Sequence, residues 1–163
     1  MREVYVIAHN IRSTFNVGSL LRTADGFGVK KVFFTGYTPY PIKQGDSRLP
    51  HISEKVSKHI HKTALGAENT VDWEQYDRID KLLAVLQKQQ IEVIALEQSP
   101  QAVLLPEYQA PAQLALLLGE EVHGIPEELR VQIQTHLEIP MYGQKESFNV
   151  VIAAAIALYH FSL

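Results

Sequence analysis

The chain of 163 residues contains no cysteine, which excludes disulfide staples, thiolate catalysis and cysteine-ligated metal. It also lacks a surplus of positive charge: 15 Lys and Arg stand against 18 Asp and Glu, a formal net charge of −3. That balance excludes a protein that coats nucleic acid with its whole surface and leaves only a local basic patch for such work. No apolar run approaches the ~20 residues of a membrane span. The charged opening Met1-Arg2-Glu3 passes straight into a strand-like segment, unlike a secretory signal. These absences set the expectation of a cytoplasmic protein with no membrane partner.

What is present is a core. With 46% hydrophobic residues the chain can bury one compact domain. Strands are predicted at Val4–Ala8, Val32–Thr35, Glu92–Glu97, Gln113–Leu118 and Leu137–Met141. Helices are predicted at Asn16–Phe27, Asp77–Gln90, a short stretch from Pro126, and Val150–Phe161. The helices rest on spacing: Ile79, Leu82, Leu83 and Leu86 repeat at i, i+3, i+4 and i+7, and Leu20, Ala24 and Phe27 form a second stripe stopped by Gly28. Alternating strands and helices predict an α/β fold, a mostly parallel sheet flanked by helices. No repeat or linker divides it. Pro39 to Pro50, rich in turn formers, is expected to be a long mobile loop.

Three polar blocks each stand where a strand gives way to a helix: Asn16-Val17-Gly18 with Arg22, Gly119-Glu120-Glu121-Val122-His123-Gly124, and Tyr142-Gly143 to Ser147-Phe148-Asn149. In a parallel sheet the strand carboxyl ends share one edge, so the three are expected to converge on a ligand. Asn16 is placed to cap its helix, Gly18 permits close approach of a ligand or another backbone, and Glu121 is expected to accept from a donor such as Arg22. Ser147 or Asn149 would cap the last helix. That helix has no polar face, so it needs cover on every side, in part from a second subunit; Ala154→Glu would test this. Each block also has a plainer reading as a capped helix or an ordinary turn.

Together the blocks resemble the three signature motifs of the SpoU, or TrmH-type, RNA 2′-O-ribose methyltransferases of the SPOUT superfamily. The motifs run Asn16-Val17-Gly18-Ser19-Leu20-Leu21-Arg22-Thr23-Ala24-Asp25-Gly26-Phe27-Gly28, then Gly119 to Gly124, then Ile139-Pro140-Met141-Tyr142-Gly143 continuing to Ser147-Phe148-Asn149-Val150. The resemblance spans nearly the whole chain. It implies a carboxyl-terminal trefoil knot, S-adenosylmethionine (AdoMet) as cofactor and an obligate homodimer. Many members carry an amino-terminal RNA-binding extension; this chain departs from that pattern and is expected to be a single domain over residues 1–163. RNA capture would then fall to the domain, its dimer mate or a helper protein. Phe148 stands where the family usually has leucine, and Val151 where serine is common.

By the same resemblance Arg22 is the catalytic residue, with Asn16, Glu121, Ser147 and Asn149 holding it, the ribose and the cofactor. Cofactor contacts fall to Gly119, Ile139 and Phe148, with Leu96 and Met141 beside them. The dimer would bring Asn16 and Arg22 of one chain towards the Gly119 and Ser147 blocks of the other. A guanidinium keeps its proton, with a pKa above ~12, so Arg22 suits orientation and stabilisation of the developing oxyanion better than proton abstraction.

The most basic window runs from Lys43 to Lys62. Its Lys55, Lys58 and Lys62 are candidates for RNA phosphates, though a solvated face would look the same. His59 and His61 would share one face if that segment were a strand, but no further ligand stands at a recognised spacing and no metal site is expected. The dinucleotide fingerprint, the P-loop and His-Glu-x-x-His are absent. Two functions therefore compete: an AdoMet-dependent RNA ribose methyltransferase, with tRNA favoured over rRNA, and a noncatalytic RNA- or AdoMet-binding module of the same fold. A small-molecule methyltransferase is a weaker third. Methyl transfer to bulk RNA separates them.

Overall fold

The computed structural model describes residues 2–163. Its elements in chain order are β1 (Glu3–His9), α1 (Thr14–Gly26), β2 (Lys31–Thr35), α2 (Pro50–Ala64), β3 (Trp73–Tyr76), α3 (Ile79–Lys88), β4 (Glu92–Leu96), β5 (Val103–Leu104), β6 (Gln113–Leu118), α4 (Glu127–Arg130), β7 (Thr135–Glu138) and α5 (Val150–Ser162). The strands form one seven-stranded sheet in the order β3-β2-β1-β6-β4-β7-β5. Every pairing is parallel.

Alternation along the strands divides the core in two. Val6, Ala8, Phe34, Leu114 and Leu116 face one side, where Leu20 and Leu21 of α1, Ile60 of α2 and Ala157, Leu158 and Phe161 of α5 cover them. Ile7, Phe33, Ala115 and Leu117 face the other, under Leu82 and Leu86 of α3 and Leu129 of α4. β6 is therefore apolar on both faces, as a central parallel strand must be. Among the described residues no helix is long and apolar enough to cross a membrane.

Several expectations are corrected. The basic window is loop as far as Leu49 and helix beyond it, where no helix was assigned: Pro50 opens α2, where a missing N–H costs nothing, and α2 packs on α1 through Gly18. A Cβ at Gly18 would overlap the Ile60 carbonyl and the Thr63 hydroxyl, so of the two close approaches expected there the structure shows the one to another backbone. On a helix His59 and His61 point to nearly opposite sides. His59 stacks on Phe15, and His61 Nδ1 lies 2.5 Å from Glu68 Oε1. The loop before α2 is tied down by Arg48, which donates to Tyr40 O, Pro41 O and Asp46 and lies over the Tyr40 ring. Strands β3 and β5 were not foreseen; they are short, with little apolar alternation.

The last helix is only half covered. Val151, Ala154, Ala157, Leu158 and Phe161 are buried in the chain's own core, while Ile152 is 51% and Tyr159 58% exposed. Ala154 is thus a core residue, and Ala154→Glu would unfold the domain without reporting on a partner. The surface that calls for cover is Ile152 and Tyr159.

Candidate active site

The carboxyl ends of β4, β6 and β7 open onto a cleft of about 310 Å³. Leu96 ends β4 and Gly119 follows β6. β7 stops at Glu138, earlier than the sequence pattern suggested, so Ile139 and Met141 leave the sheet and line the cleft with Phe148. All five positions expected to touch a cofactor share this cavity.

The turn after β6 forms the cleft wall. Glu120 N donates to Gly124 O at 3.1 Å, and Gly124 N returns the bond to Glu120 O at 3.0 Å. A Cβ at Gly119 would strike the Gly124 carbonyl and Ile125 N, and Gly124 sits at φ +68°, so both positions require glycine. The fold this imposes turns Glu121 towards the start of α1. There its carboxylate accepts from Arg12 N at 3.1 Å, Ser13 N at 3.2 Å and Asn16 Nδ2 at 2.9 Å. An anion at a helix amino terminus is also favoured by the helix dipole. Burial pushes the Glu121 carboxyl up, but these donors outweigh it and hold the group below the ordinary carboxylate range.

Asn16 is therefore not the helix cap. Ser13 caps α1 by accepting from Asn16 N at 3.2 Å, which frees the Asn16 side chain to bridge. Its Oδ1 accepts from Asn149 Nδ2 at 3.3 Å, and Asn149 Oδ1 caps α5 by accepting from Val151 N at 2.9 Å. One residue from each polar block thus joins a single hydrogen-bonded chain, Glu121 to Asn16 to Asn149, within one protomer. Asn16 therefore meets both of the other blocks inside its own chain.

Ser147 lines the cleft and is exposed. Arg22 does not join the group. Six residues after Asn16, it lies ~9 Å further along α1 and well round the helix. It is exposed and makes no side-chain hydrogen bond or ion pair among the described residues. Glu121 accepts from Asn16 and two amides instead of Arg22.

Two features escaped the sequence reading. Tyr37 donates its hydroxyl to Glu120, and Arg12 Nη2 and His123 Nε2 lie 3.5 and 3.7 Å from the same carboxylate. The Tyr37 hydroxyl foremost, against burial and with help from Arg12 and His123, keeps Glu120 below its ordinary value. Nothing in a loop tyrosine signals this. Glu97, one residue past β4, also lines the cleft; its place at a strand carboxyl end was a usable signal. Lys55, Lys58 and Lys62 stand exposed on α2, outside the cleft.

Residues 3–159 match the family model described as the SpoU rRNA Methylase family. The chain belongs to the SpoU family. The tRNA (guanosine(18)-2′-O)-methyltransferase TARBP1 of Mus musculus is 30% identical to it over 163 residues, which cover 98% of this chain and 9% of that protein. The tRNA (guanosine(18)-2′-O)-methyltransferase of Aquifex aeolicus is 23% identical over 161 residues, covering 97% of this chain and 68% of that one. The AdoMet-bound rRNA methyltransferase from Sinorhizobium meliloti shares the fold with a TM-score of 0.78 at 23% identity, over 98% of this chain and 55% of that chain. The chain thus spans only part of each of these three proteins. The shared fold accounts for the parallel sheet and for the placement of the motifs at one edge.

Proposed function

We propose that this chain is an AdoMet-dependent RNA methyltransferase acting on a ribose 2′-hydroxyl. The observation that carries the reading is the convergence of Leu96, Gly119, Ile139, Met141 and Phe148 on one cleft beside the Glu121–Asn16–Asn149 chain. The cleft has a size usual for small-molecule sites, an apolar wall to flank an adenine, and free backbone groups beyond β7 to pair with its edge. AdoMet held there would supply an electrophilic methyl group on a positively charged sulfur.

The chain's own residues supply position and charge. Glu121, Asn16 and Asn149 lock the starts of α1 and α5 against the cleft wall, so a ribose seated there meets a preorganised surface. Ser147 stands at the cleft to contact the substrate. Arg22, permanently protonated, orients the 2′-oxygen and stabilises its charge as the proton passes to a substrate phosphate or water. Because Arg22 does not line its own cleft, the reading places the complete site in a homodimer in which the partner lends its arginine. The exposed Ile152 and Tyr159 on α5 provide an apolar surface for that contact.

Lys55, Lys58 and Lys62 fall at i, i+3 and i+7 on α2, along one side suited to tracking phosphates. tRNA is the favoured substrate, since relatives matched along nearly all of this chain act on guanosine 18 of tRNA. Nucleoside mass spectrometry of tRNA and rRNA from cells with and without the protein tests this. One 2′-O-methylnucleoside should disappear from tRNA in its absence; unchanged 2′-O-methylation in both RNAs would refute the proposal.

A further inference from the structure

The cleft is lined by five glutamates, Glu97, Glu120, Glu121, Glu138 and Glu146, and by no lysine or arginine. Glu120 and Glu121 are committed to Tyr37, Arg12, Ser13 and Asn16. Glu97 differs from the rest. Its Oε2 accepts the Ile125 N–H at 2.8 Å, and its carboxylate lies so close to the Gly124 α-carbon that a Cβ there would overlap it. The group is therefore fixed between the end of β4 and the Gly119–Gly124 turn. Among the described residues no cation lies within ion-pairing distance of it, and no donor reaches its second oxygen, Oε1. A carboxylate fixed in a cleft, with one oxygen unengaged and acidic neighbours, is suited to a cationic ligand.

We infer that Glu97 is the residue by which the cleft selects a positively charged methyl donor, its carboxylate pairing with a cation of AdoMet. The inference rests on the methyltransferase reading above. AdoMet carries two cations, a sulfonium and an ammonium; S-adenosylhomocysteine keeps only the ammonium, and 5′-methylthioadenosine has neither. A carboxylate that pairs with the sulfonium would also favour exchange of spent product for fresh donor.

The test is isothermal titration of the full chain with these three compounds, wild type against Glu97→Gln. Glutamine keeps an acceptor for Ile125 N and removes only the charge. Glu97→Gln should weaken AdoMet about tenfold and leave 5′-methylthioadenosine unchanged, which also shows the cleft intact. S-adenosylhomocysteine then locates the pairing: unchanged affinity assigns the sulfonium, and a loss equal to that of AdoMet assigns the ammonium. Equal weakening of all three, or of none, would overturn the inference by giving Glu97 a ribose or purely structural role. A wild type that binds none of the three would overturn the methyltransferase reading itself.

Discussion

Asn16 Nδ2 donates to Glu121 Oε1 at 2.9 Å, joining residues 105 positions apart. The contact couples the start of α1 to the wall of the cleft, so neither side chain acts alone. In a double-mutant cycle with Asn16→Ala and Glu121→Gln, the two changes should be non-additive by about 1 kcal/mol in urea unfolding. Additive losses would mean that the bond contributes nothing to the fold of the site.

The same carboxylate gives a pH signature. Burial raises the pKa of Glu121, but the amide donors lower it further, so folding favours the ionised form. Its contribution is complete above the unfolded value of about 4.3 and is lost as pH falls through the lower folded value. The stability gap between wild type and Glu121→Gln should therefore hold constant from about pH 7 to about pH 5 and narrow below that. A gap that widens on acidification would contradict the assignment of donors.

On α5, two neighbouring positions separate folding from assembly. Ile152→Glu places a charge on an exposed apolar position and should give a folded monomer by light scattering with little methyl transfer. Ala154→Glu buries the charge in the core and should abolish the cooperative melt. A folded, fully active Ile152→Glu monomer would refute a site completed by the partner.

The basic side of α2 has its own readout. Replacing Lys55, Lys58 and Lys62 together with glutamine should flatten the slope of log affinity against log salt for RNA by about 2, leaving AdoMet affinity unchanged. An unaltered slope would make these lysines a solvated face.

Much of this was legible in the sequence because two periodicities are strong. The apolar run Leu114–Leu118 marks a central strand, and the Ile79 to Leu86 stripe marks α3. The three polar blocks were legible as well, since each lies at a strand's carboxyl end. α2 was not read as a full helix because its lysines and histidines obscure a stripe of only three buried residues, Ser53, Ile60 and Ala64. The role of Asn16 was misread for a local reason: Ser13, three residues earlier, takes the cap and leaves Asn16 free for Glu121. Tyr37 and Glu120 meet only through tertiary folding, and no local pattern announces that pair.

The central claim is tested most directly by transfer of methyl label from AdoMet to unmodified tRNA transcripts, followed by complete digestion to nucleosides, with Arg22→Ala measured alongside. The wild type should yield a labelled 2′-O-methylnucleoside, and Arg22→Ala should yield none while binding AdoMet as tightly as the wild type. Label found only on a base, or transfer by Arg22→Ala at the wild-type rate, would contradict the account.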